Sequence, residues 1–252
     1  MLGTAVAVAA GTALGLIAAG PGPPPATSGG SHRADAAAPH RSTARGASST
    51  TTSSSTTPPP TTSAAARLAG ALPPASNGSR PQTTARPSAH TAAFHAEMAV
   101  LWQAIQRGKP ALGMRAFFPE AAYVQVKALS DDATDWRDRL VTHFDLDVVA
   151  AHRLLGPAAA TAHLSEVLVA TAQAAWIRPG YCFNKLGYWH VPGSRLVYDV
   201  GGVQRSIGIA SLISWRGYWY VVHLGAVIPP AGKGVVDDPA TGPGSFGPAG
   251  GC

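Results

Sequence analysis

At 252 residues, 46% of them hydrophobic and 13% charged, the chain is long enough to bury a sizeable core, and its formal net charge is +6. That charge does not belong to the core: residues 1–92 hold six Arg and one Asp, a net of +5, which leaves +1 for everything after. Nucleic-acid binding needs a basic stripe on a folded face, so that function class is set aside.

The aromatic residues divide the chain. No Phe, Trp or Tyr precedes Phe94, the first of the eighteen. A segment without aromatics, rich in Ala, Pro, Ser and Thr, buries too little apolar surface to offset its conformational entropy. This places one folded domain over 93–230, behind a disordered linker over 21–92 and ahead of a flexible Gly/Pro-rich tail over 231–252.

Within 1–20, residues 2–19 read LGTAVAVAAGTALGLIAA, apolar and uncharged. About eighteen residues is near the lower limit for crossing a bilayer and is also acceptable for the apolar region of a signal peptide. Only the terminal amine precedes the run, while Arg33, Arg41 and Arg45 lie beyond it, an asymmetry that taken alone favours a cytoplasmic domain. The small residues Ala18, Ala19 and Gly20 resemble a cleavage site. The reading adopted is export, with the segment acting as signal peptide or membrane anchor and the domain extracytoplasmic. No Cys lies near it to carry a lipid anchor. The following stretch, SSTTTSSSTTPPPTTS at 48–63, is a semi-stiff spacer.

Beyond the linker, Phe94, Met98, Leu101, Trp102 and Ile105 recur at helical spacing, predicting a helix from Thr91 to Arg107 that Gly108 and Pro110 stop. ALGMRAFF predicts a short helical piece ending at Pro119. Tyr123 to Lys127 alternates like a strand. The acidic run from Ser130 to Asp135 opens a helix carrying Trp136, Leu140, Phe144 and Val148, which Gly156-Pro157 ends. Leu164 to Ala170 reads as a strand.

Trp176 to Gly225 holds ten of the eighteen aromatics. Its short apolar-alternating runs are punctuated by Pro192-Gly193, Gly201-Gly202 and Arg216-Gly217, the pattern of an antiparallel meander. A two-residue loop at Arg216-Gly217 would pair Trp215 with Tyr218, Ile213 with Tyr220 and Ile209 with Leu224 on one apolar face. Ser214, Ala210, Trp219 and His223 then share the other face.

Helices followed by an antiparallel meander give an α+β fold, with N-terminal helices packed on a curved sheet. That element order resembles the cone-shaped NTF2-like superfamily over roughly 93–226. The block PGYCFNKLGYWHVPGSRLVY together with ISWRGYWYVVHLG is also similar to exported actinobacterial proteins. The resemblance implies a cone that closes over a pocket, and it carries over no catalytic residue.

Trp102, Tyr123, His190, Tyr198 and His223 are the pocket residues expected on this basis, because aromatic, hydroxyl and imidazole groups near such a cone can hold or act on a ligand. Cys182 and Cys252, the only cysteines, would pair in an exported protein. The alternatives keep Cys182 as a buried apolar group, or as a nucleophile beside His190. Asp131, Asp132 and Asp135 suit a helix N-terminus, and His143 with Asp147 makes too small a set for a metal. No metal or cofactor motif is present. These observations favour a non-catalytic extracytoplasmic domain that binds a small apolar ligand or an envelope or protein partner. The alternative is a small-molecule isomerase or hydrolase with an acid/base dyad inside the cone, recognisable by two ionisable groups converging in one closed pocket.

Overall fold

The computed structural model describes residues 63–225 and 232–247. The apolar segment 2–19, the spacer at 48–62 and Cys252 lie outside the described residues. Among the described residues, no helix is long and apolar enough to cross a membrane.

Helix α1, Ala64–Ala71, starts at Ser63, whose hydroxyl accepts from the Ala66 amide. Helix α2, Ala92–Arg107, is capped by the Thr91 hydroxyl and closed by Gly108 at φ +59°, where a Cβ would strike the His152 ring. Its buried face carries Phe94, Met98, Leu101, Trp102 and Ile105. The expected helical piece after it is one 3-10 turn, Pro110–Gly113, and the chain then extends so that Phe117 bridges Val221 in parallel.

Residues Tyr123–Lys127 are not a strand. They lie in and at the end of helix α3, Glu120–Val126. Pro119 at the N-cap fixes the entry, Glu120 suits the first turn, and the buried residues Ala122, Tyr123 and Val126 follow helical spacing. Five residues were too few to separate the two periods. Helix α4, Asp132–Asp135, capped by Asp131, runs through a π-helical turn, Trp136–Val141, into α5, Thr142–Leu155.

Among the described residues, six strands form one antiparallel sheet: β1 His163–Leu168, β2 Ala175–Ile177, β3 Tyr188–Val200, β4 Val203–Trp215, β5 Tyr218–His223 and β6 Ala240–Thr241. The order is β1-β3-β4-β5, with β2 also on β3 and β6 on β4. Together with the helices this is an α+β fold around a curved antiparallel sheet.

Pro192-Gly193 is not a turn but lies inside β3. β2 pairs with β3 only up to His190 and β1 only from Arg195, so Pro192 lies where neither flanks β3, while on the other side it stays in register with Ser211 of β4. The Arg216-Gly217 loop is a tight hairpin with φ of +53° and +80°, and it pairs Trp215 with Tyr218 and Ile213 with Tyr220.

Beyond those pairs the register slips. Leu212 faces Val221 but Ser211 faces His223, leaving Val222 as the extra residue of a β-bulge. The Ala210 amide consequently bonds the Leu224 carbonyl, and the expected Ile209–Leu224 pair does not form. A one-residue shift exchanges faces, so His223 lies on the side of Ser211, Ile213 and Tyr220 rather than opposite them.

Both faces of this hairpin are covered: Trp215 is 0% exposed and Trp219 1%. Part of the cover comes from the segment before residue 93, expected to be linker. Asn77 is buried, donates to the Tyr220 hydroxyl at 3.0 Å and accepts from Trp215 Nε1 at 3.0 Å. Gln82 donates to the Ser214 carbonyl at 3.0 Å and accepts from the Arg216 amide at 2.8 Å. Trp189 Nε1 donates to the Thr84 carbonyl at 3.0 Å. A stretch without aromatics can still belong to a core when it contributes carbonyls and amides to indoles that other strands supply.

The tail is used in the same way. Asp147 on α5 accepts from the Gly225 and Val235 amides at 2.9 and 2.8 Å. The Asp237 carbonyl accepts from the Gly208 amide at 2.7 Å, β6 pairs with β4, and the Gly247 amide bonds the Gly193 carbonyl in the gap between β2 and β1.

Candidate functional site

A cavity of about 650 Å³ opens between the sheet, α3, the π-helical turn and the tail, within the range of small-molecule sites. From α3 come Tyr123, Val126 and, at its C-cap, Lys127. The π-helical turn supplies two consecutive residues, Arg139 and Leu140. β3 supplies Tyr188, His190, Pro192 and Arg195. Strict alternation would put Arg195 on the opposite face from His190. Gly193, at φ +56°, turns the strand between them so that both line the cavity. β4 and β5 contribute Ala210, Ser211, Ile213, Val222 and His223, and the tail adds Asp237, Asp238 and Phe246.

The polar groups fall into two sets. In the first, His190 Nε2 and the Ser211 hydroxyl are hydrogen bonded at 2.8 Å, with His223 directly across from Ser211 in the register. Burial pushes the His223 imidazole down to about 4, and the positive side chains of Arg139 and Lys127, with His143 and His190, push the same way. His223 is therefore neutral at pH 7. Lys127 donates to the Cys182 carbonyl at 2.9 Å, and burial, then Arg139, lowers its ammonium from the ordinary value. Arg139 grips Asp135 through Nε at 2.7 Å and Nη2 at 2.6 Å, and that pairing holds the Asp135 carboxyl below its usual range. Tyr123 donates to Asp135 and accepts from Arg139 Nη2 at 3.0 Å; burial raises its phenol.

In the second set, Arg195, only 1% exposed, pairs with Asp238 at 2.9 Å and donates to the Ser206 hydroxyl at 2.8 Å. Asp237 packs on Gly208, where a Cβ would lie 2.1 Å from its Oδ2, and burial raises its carboxyl. The tail's own carboxylate thus already neutralises Arg195.

Of the residues expected at a pocket, Tyr123, His190 and His223 line this cavity. Trp102 and Tyr198 do not: their rings pack together in the core, centroids 5.1 Å apart, and Tyr198 borders a separate depression of about 170 Å³. Cys182 is disulfide-bonded, which removes the thiol that a nucleophile beside His190 would need, and Cys252 lies outside the described residues. Among the described residues, no group of three or more His, Cys, Asp or Glu side chains could hold a metal ion.

Ser211, Lys127, Arg139, Arg195 and the two tail aspartates were not singled out from the sequence. Ser211 had a usable signal. A two-residue turn at Gly201-Gly202 sets Val200 against Val203 and, counting back, Pro192 against Ser211, diagonal to His190 on the same face. Lys127 was hidden by the strand reading of its segment. Arg195 and the tail aspartates depend on a long-range contact that no local pattern announces.

No family model, no curated protein and no solved structure matches this chain.

Proposed function

We propose that this domain binds a small organic molecule inside the cavity, which a cone of the NTF2-like kind encloses, and that it stands outside the cytoplasmic membrane behind the Pro/Ser/Thr spacer. The observation that carries the binding reading is the cavity itself: about 650 Å³, with Phe118, Val126, Leu140, Ile177 and Ile213 on its walls and a few convergent polar groups. A core serving only stability would close such a volume, because unfilled space forfeits packing energy. The test is occupancy by N-phenyl-1-naphthylamine, an apolar fluorescent probe. Saturable one-to-one binding that Ala210→Trp abolishes supports the reading; binding that is absent, or indifferent to that substitution, overturns it. For location, a reporter active only outside the membrane, fused after Pro60, should be active; activity of a cytoplasmic-type reporter instead contradicts it.

One observation favours a second reading, an acid–base enzyme acting on the same ligand. His190, His223 and Ser211 meet in one cavity, and a serine hydroxyl 2.8 Å from an imidazole is the arrangement of a nucleophile and its base. Stoichiometric labelling of Ser211 by a fluorophosphonate, lost in His190→Gln, would favour this reading. An unlabelled Ser211 leaves binding alone.

A further inference from the structure

The polar lining of the cavity differs in sign from one end to the other. Where Lys127, Arg139, His190, Ser211 and His223 meet, the side chains offer donors: an ammonium, a guanidinium, two imidazoles and a hydroxyl. The bonds made by Lys127, Arg139 and His223 leave capacity unused. Lys127 uses one of its three protons, on the Cys182 carbonyl. Arg139 engages Asp135 and Tyr123 through Nε and Nη2, leaving Nη1 without a partner among the described residues. His223 makes no side-chain hydrogen bond among the described residues, and the groups that bear on it electrostatically are Arg139, His143, Lys127 and His190, none of them acidic. The acidic lining residues, Asp237 and Asp238, belong to the tail and face Arg195 instead. Low surrounding polarity strengthens any charge pairing formed at the donor end.

We propose that the cavity selects organic anions, with a carboxylate or sulfonate received by Lys127, Arg139 and His223 and an apolar body lying against Val126, Leu140 and Ile213. This rests on the binding reading above. A cluster of donors with spare valence on the cavity wall is complementary to a compact anion, whereas a cationic headgroup there would meet like charges, and a neutral one would leave the ammonium and guanidinium partly unpaired. The apolar walls supply affinity without regard to charge, so discrimination between ligands of one shape should come from the headgroup.

Two probes isolate that headgroup: 1-anilinonaphthalene-8-sulfonate and N-phenyl-1-naphthylamine share the anilinonaphthalene body and differ by the sulfonate. Titrated into the full chain at pH 7, the sulfonate probe is expected to bind at least tenfold more tightly. Lys127→Met should weaken it about fivefold to tenfold while leaving the neutral probe within twofold, and raised salt should weaken only the sulfonate. If Lys127→Met proves unstable, His223→Gln combined with the salt series reads the same preference. Equal or tighter binding of the neutral probe, still blocked by Ala210→Trp, overturns the anion preference and leaves the binding reading standing. If neither probe responds to Ala210→Trp, both fall.

Discussion

Two ionisable side chains, Glu97 fully buried and His223 partly so, set opposite pH limits on this fold. Glu97 on α2 is 0% exposed, neither carboxylate oxygen has a partner among the described residues, and burial raises its carboxyl from 4.5 to about 9, only partly offset by Arg115. The unfolded chain loses this proton near 4.5 and the folded one near 9, so stability is full below 4.5 and declines as pH rises through that window, by at most about 1.4 kcal/mol per pH unit. Glu97→Gln should flatten this alkaline decline and raise the Tm at pH 8. An unchanged pH slope in thermal melts would contradict a neutral Glu97. For His223 the sign is reversed. Its pKa falls from 6.5 to about 4, so its contribution is complete above 6.5 and is lost as pH drops toward 4, because the unfolded state takes up the proton first. Arg139, Lys127, His143 and His190 surround it with positive or protonatable groups. His223→Gln should therefore shallow the acid limb of the Tm profile between pH 6.5 and 4.

The β4–β5 hairpin carries the decisive information at the level of elements. Gly217 sits at φ +80°, so Gly217→Val should cost on the order of 1–2 kcal/mol or more. Trp215→Ala and Trp219→Ala should each cost roughly 3–5 kcal/mol, since both indoles are enclosed; urea denaturation of the three variants measures all of this. A cheap Trp219→Ala would mean that face is open in solution. The turn, the Trp215–Tyr218 pair and helix α2 were legible because local chemistry alone determines them: a glycine where φ must be positive, a cap where amides are orphaned, apolar residues every third or fourth position. The bulge at Val222 was not legible, because β-branched and aromatic residues run without interruption from Tyr218 to Val222, and such a run fits a regular and a slipped register equally well. That single residue decides whether His223 faces the cavity. One of the five expected pocket residues, His223, therefore depended on a feature without a sequence signature.

At the level of the whole molecule, the sheet's cover is drawn from far along the chain in both directions. Asn77 and Trp215 exchange hydrogen bonds across 138 residues, and Asp237, Asp238 and Phe246 line the cavity from the other side. Limited proteolysis should leave a protected core that begins near residue 75 and includes 232–247. A fragment spanning only 93–230 should melt well below the full chain, because it uncovers Trp189, Trp215 and Tyr220 and strips the indole nitrogens of their acceptors. A fragment as stable as the full chain would show that these flanking contacts contribute little.

The Gly247–Gly193 contact has a consequence for how the protein is made. During synthesis the β3–β4–β5 hairpins can pair as soon as they emerge, since their contacts are local and form within microseconds to milliseconds. The pocket cannot close until residue 247 is free to reach Gly193, and at roughly 5–20 residues per second the interval after His223 appears lasts about a second or more. A nascent chain in that interval presents an open groove of Ile, Val and His side chains. A chain stalled near residue 225 would lack the tail residues that line the cavity and would expose apolar surface to chaperones and proteases.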